Sequence, residues 1–153
     1  MFFKILTISF LILISNPLWA VCTNRNKVHL RKGPGRNSPI SWTVGRFYPL
    51  IKIKTQGNWI LVADQDGEKH WVYRGYVSNK VKCLSIKFAR AELRKKPSFR
   101  SEFSDYRYAE KYESFERIKA QGKWYFVRNL EGGEGWLHRD QVWRAVKKIS
   151  LKY

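Results

Sequence analysis

Acidic residues are scarce in this chain: 12 Asp and Glu stand against 30 Lys and Arg, giving 153 residues a formal net charge of +18. Such an excess favours polyanionic partners through attraction that weakens with salt, and it also serves solubility. No run of five or six like charges marks a dedicated basic arm. Metal-ligand spacing is missing too, because His29, His70 and His138 occur singly and match no His/His or Cys/His zinc pattern. His138 lies beside Asp140, and His70 near Asp66 and Glu68, but closeness in sequence supplies no nucleophile geometry. A phosphate-cradling loop is likewise absent, since Gly33-Pro34-Gly35 opens no helix and carries no lysine and hydroxyl at the required spacing. These absences argue against an enzyme and predict neither cofactor nor metal.

Long apolar runs are confined to the N-terminus. Lys4 precedes an apolar stretch from Ile5 to Ile14, followed by Asn16-Pro17 and the small residue Ala20, the layout of a secretory signal peptide over 1–20. A membrane anchor is the competing reading, but the stretch is interrupted well short of the roughly 20 residues needed to span a bilayer. The remainder is therefore expected to be exported, to a periplasm, a cell envelope or the medium.

Cysteine is limited to Cys22 and Cys83. In an oxidising compartment an even pair reads as a disulfide, here expected to hold together the two ends of a unit of some 60 residues. Closing such a loop stabilises by about 4 kcal/mol. Lipidation of Cys22 is the alternative; Val21 is not the small residue it needs, and Cys83 would be left alone.

What is present is a repeat. Val28-His29-Leu30-Arg31-Lys32-Gly33-Pro34-Gly35 is answered by Ala91-Glu92-Leu93-Arg94-Lys95-Lys96-Pro97-Ser98, and Gln56-Gly57-Asn58-Trp59-Ile60-Leu61-Val62 by Gln121-Gly122-Lys123-Trp124-Tyr125-Phe126-Val127. His70-Trp71-Val72-Tyr73-Arg74 returns as Gly135-Trp136-Leu137-His138-Arg139. The offset grows from 63 to 65 between the first and second echoes, so the second copy contains a two-residue insertion. Positive charge is shared, with 12 basic and 3 acidic residues in 21–84 and 17 and 9 in 85–153.

Both copies read as all-β. Short runs rich in Ile, Val, Trp, Tyr and Phe are separated by Gly, Asn, Asp and Pro, and no helical period appears. Asp66-Gly67 and Gly132-Gly133 suit tight hairpins. Alternation puts Ile60 with Val62, and Tyr125 with Val127, in the core together with Leu30, Val72, Val77, Leu93, Leu137 and Val142. The same alternation turns Trp59 and Trp124 outward, as candidates for a stacking platform or for cover of a barrel end or of the contact between copies.

The first copy resembles the bacterial SH3-like domain, carried by Val28 to Gly35, Gly57-Asn58-Trp59-Ile60-Leu61-Val62, Trp71-Val72 and Tyr76-Val77. The second copy is similar but more divergent, with Lys96 and Ser98 in place of two glycines; His70 departs from the pattern in the first, where glycine is usual. The resemblance implies two small SH3-like β-barrels in tandem, 21–84 and 85–153, a cell-envelope address, and a binding role often directed at peptidoglycan or its peptides. On that basis the loop from Lys32 to Pro39, with Arg31, Lys32 and Arg36 at its rim, is expected to form a groove with Trp59 and with Trp71 or Tyr73. The missing glycines fall in the matching loop of the second copy, so the two copies are not expected to bind a ligand equally, and the second is expected chiefly to pack on the first. An adaptor that binds an extended peptide of an envelope protein, and a nucleic-acid binder, are the other readings; export argues against the last.

Overall fold

The computed structural model describes residues 20–146, so all but the last residue of the expected signal peptide lies outside the described residues. Among the described residues, fourteen strands follow one another with two short 3₁₀ turns. The first seven are β1 (Ala20–Thr23), β2 (Val28–Arg31), β3 (Ile40–Val44), β4 (Pro49–Gln56), β5 (Trp59–Ala63), β6 (Lys69–Tyr73) and β7 (Val77–Ser78). The second seven are β8 (Cys83–Ile86), β9 (Arg90–Arg94), β10 (Phe103–Glu110), β11 (Ser114–Gln121), β12 (Trp124–Arg128), β13 (Glu134–His138) and β14 (Val142–Trp143). They form two antiparallel sheets ordered β3-β2-β6-β5-β4-β1-β7 and β10-β9-β13-β12-β11-β8-β14, the same arrangement twice.

Each sheet has its own core, built from the alternate positions that the period-two pattern selects. In the first, Val28, Leu30, Leu50, Val62 and Val72 are fully buried, with Ile60 nearly so. In the second, Leu84, Ile86, Leu93, Phe115, Val127 and Leu137 take that part, with Tyr125 and Val142 beside them. Burying one such aliphatic or aromatic side chain stabilises by about 1.5–3 kcal/mol. Val77 is only half-buried, at the margin of the first core.

Turn chemistry is also duplicated. Gly57 and Gly122 (φ 57 and 56°) close the β4–β5 and β11–β12 hairpins, and Gly67 and Gly132 (φ 84 and 87°) the β5–β6 and β12–β13 hairpins. Phe47 and Tyr112 are non-glycine residues in the same left-handed region (φ 67 and 71°) at matching places before β4 and β11. Each is held there by its backbone N–H, donated to the carbonyl of Thr23 and of Ile86.

The two-residue insertion falls in β10. Ile40 of β3 pairs with Arg31, and Phe103 of β10 with the matching Arg94; Thr43 pairs with His29, and Tyr108 with Glu92. Between those pairs β3 carries one extra residue and β10 three, so the insertion is accommodated as an enlarged bulge. The bulge carries Tyr106, whose ring packs on the second core 6.2 Å from Phe115 and whose hydroxyl donates to the Glu113 carboxylate.

Cys22 and Cys83 are joined in a disulfide with Cα atoms 6.1 Å apart. Cys83 opens β8, so the bridge does more than close the ends of the first copy: it ties the first strand of one sheet to the first strand of the other. The two sheets meet around it. Tyr112 sets its ring edge-on to Trp42 at 5.3 Å and donates its hydroxyl to Asp66 (2.6 Å). Gln65 bridges to the Ile86 carbonyl and the Ser85 hydroxyl, and Ser114 donates to the Arg46 carbonyl.

Candidate functional site

The loop after β2 is closed by Lys32 N–H donating to the Pro39 carbonyl (2.9 Å) and by the Arg31 guanidinium donating to the Ser38 carbonyl (2.8 Å). This closure brings Gly33 close to Ser38, where a Cβ would lie 2.7 Å from Ser38 Oγ. Strands β2, β5 and β6 then present one outer face, on which Trp59 stands opposite Tyr73 and Arg31 opposite Trp71.

Where this face meets the loop, a notch of about 150 Å³ is lined by His29, Arg31, Arg36, Trp59, Tyr73 and Tyr76. Trp59 is half-buried and sets its ring edge-on to Tyr73 (6.0 Å), which in turn abuts Tyr76 (5.2 Å). One wall is thus aromatic and the other cationic. The arrangement suits a ligand that offers a flat or apolar face together with an anionic group.

Four of the six residues expected at the site, Arg31, Arg36, Trp59 and Tyr73, come together in this notch. Lys32 is exposed on the loop and does not line the notch, and Trp71 lies one row along the face, beneath the Lys54 ammonium at 5.5 Å. His29 and Tyr76 were not expected there. His29 is two positions before Arg31, hence on the same strand face, and that alternation would have found it. Tyr76 sits in the 3₁₀ turn after β6, where no strand period applies.

The second copy departs from the first in its notch and not in the backbone of its loop. Its loop keeps the same backbone pattern in spite of Lys96 and Ser98: Lys95 N–H donates to the Glu102 carbonyl and Arg94 to the Ser101 carbonyl. The glycines are therefore not what separates the copies. What differs is the filling of the notch. Trp124 is 9% exposed rather than a platform, because Phe99 lies against it at 4.8 Å and against His138 at 5.0 Å. At the matching positions Phe99 replaces Arg36, His138 replaces Tyr73 and Glu92 replaces His29. Charge is also paired within this loop: the hydrogen bond from Lys95 to Glu102 raises the lysine and lowers the glutamate from their ordinary pKa values, whereas Lys32 faces Pro39 in the first copy.

His70 leaves its hairpin unchanged, with Gly67 and Gly132 in the same conformation. Its partner is Asp64, neither Asp66 nor Glu68. Asp64 Oδ1 accepts the N–H groups of Asp66 and Glu68, Oδ2 accepts from His70 Nε2 (3.1 Å), and His70 Nδ1 shares a hydrogen bond with the Ser41 hydroxyl (2.7 Å). The network ties β3 to the β5–β6 hairpin. His138 instead accepts the Asp140 N–H and caps the 3₁₀ turn after β13.

Residues 24–79 match the family model described as the bacterial SH3 domain. A search of curated proteins finds no match. Among solved structures, the chain is similar to NlpC2 from Trichomonas vaginalis, with 13% identity, a TM-score of 0.36 and coverage of 81% of this chain and 47% of that one. For NlpC1 from the same organism the figures are 12%, 0.35, 80% and 44%. The chain spans less than half of either structure.

Proposed function

We propose that this protein is a non-catalytic binding protein of the bacterial cell envelope, exported as a pair of SH3-like barrels, that holds peptidoglycan or another anionic wall component in the notch of its first copy. The observation that carries this reading is the joining of two arginines, a histidine and three aromatic rings in one small cleft, on the segment that matches the bacterial SH3 domain. Family resemblance supports the wall as the source of the ligand, and the net charge supports an anionic one. Retention of the protein on purified sacculi, on proline-rich peptides and on single-stranded DNA, each followed across a salt series, tests it. Wall binding through the notch persists on sacculi as salt rises, while contacts made by charge alone fade on all three. Persistence on the peptide instead would favour the adaptor.

A further inference from the structure

The second copy carries a built-in occupant of its own notch. Phe99 projects from the loop after β9, is 63% exposed, and sets a six-membered ring against Trp124 and His138. Both of its neighbours here are rings. They stand at the positions equivalent to Trp59 and Tyr73, so the ring marks where a planar group rests on this scaffold.

In the first copy the same loop position is Arg36, and the place of the ring is open. The notch of about 150 Å³ is of the size that takes one six-membered ring. Arg36 makes no side-chain hydrogen bond among the described residues, and Arg31 commits one nitrogen to Ser38 and keeps its others. A ring seated on Trp59 and Tyr73 therefore brings any acid it bears toward two guanidinium groups. Charge-assisted bonds to a carboxylate are about twice as strong as neutral ones.

We propose that the first copy's notch recognises a carboxylate-bearing sugar ring, with the pyranose face on Trp59 and Tyr73 and the carboxylate on Arg31 and Arg36. The choice of a sugar among ring-bearing acids rests on the wall-binding reading above. Phe99 in turn holds the second copy closed to such a ligand, and Glu92 in place of His29 adds repulsion.

The test uses the full protein with three defined probes: a disaccharide containing a hexuronic acid, its neutral counterpart, and a ringless dicarboxylate. Binding is read from the shift of the Trp59 indole N–H resonance, assigned by its loss in Trp59→Ala. The acidic sugar is expected to bind about tenfold or more tightly than either control. Arg36→Phe, which transplants the second copy's plug, should abolish that preference, and Arg36→Lys should retain part of it. The matching loop backbone already accommodates phenylalanine, and a thermal melt checks folding. Equal binding of the ringless acid, or unchanged binding by folded Arg36→Phe, overturns the proposal. Sacculus retention measured in parallel separates the two readings: retention without sugar preference removes only the ligand class, and loss of both removes the wall-binding function as well.

Discussion

His70 shows how one residue resets its surroundings. At the matching position of the second copy, Gly135 has no room for a side chain, because a Cβ would lie 2.8 Å from Ser104 Oγ and 2.9 Å from Leu93 Cβ. In the first copy the imidazole is accepted and tied on both nitrogens, to Asp64 and Ser41. Restoring the glycine by His70→Gly is therefore expected to destabilise the protein by about 1–3 kcal/mol, since Asp64 Oδ2 and the Ser41 hydroxyl lose their partner. Urea unfolding measures it, and a variant as stable as the parent would contradict the account. The sequence revealed this histidine as a departure from pattern but not its partner, because Asp64 lies across a hairpin whose turn had first to be placed. Phe99 was less legible still. A loop residue belongs to no strand period, and nothing local says that its ring folds back on Trp124.

At the scale of elements, the strands were readable from their period-two alternation and the hairpins from their Gly turns, because both are local patterns. The insertion was readable only as a change of offset. Its place in β10 follows from register, which is set by pairing with a strand distant in sequence. The bulge has a cost elsewhere: a Cβ on Gly133 would lie 2.6 Å from the Tyr106 ring. Gly133→Ala should lose about 1–3 kcal/mol by overpacking. In a Tyr106→Ala background the same substitution should cost under about 1 kcal/mol, because the two residues are directly coupled. An equal cost in both backgrounds would show that the ring does not set the constraint.

Tyr106 also gives the second sheet a pH dependence. Burial, helped by the bond to Glu113, pushes its hydroxyl from the ordinary 10.0 up to about 12. The folded protein thus keeps this proton where the unfolded chain has lost it. Its contribution is complete below pH 10, falls as pH rises between about 10 and 12, and is lost above that window. Unfolding free energy should decline less steeply across that range in Tyr106→Phe than in the parent; parallel slopes would contradict this.

For the whole molecule, the junction is the decisive feature. One disulfide, the Tyr112 ring on Trp42 and the Gln65 and Ser114 hydrogen bonds join two sheets of identical order. The pairing of the cysteines was legible from their placement. That the bridge ties the two sheets was not, because Cys83 looks like an ending in the sequence and is the start of β8 in the fold. The double variant Cys22→Ser, Cys83→Ser should lose about 4 kcal/mol in denaturant unfolding, the loop-closure value for 61 residues. A loss under about 1 kcal/mol would contradict a load on this bridge.

Joined in this way, the copies are unequal by design of their side chains: one notch is open and cationic, and the other is filled by Phe99. The most direct test of that asymmetry is the affinity for purified sacculi in about 1 M salt, where screening leaves only close contacts. Trp59→Ala should weaken binding about tenfold or more, about 1.4 kcal/mol, while Trp124→Phe should change it less than about twofold. Equal losses from both variants, or undiminished binding by a folded Trp59→Ala protein, would contradict the first notch as the binding site.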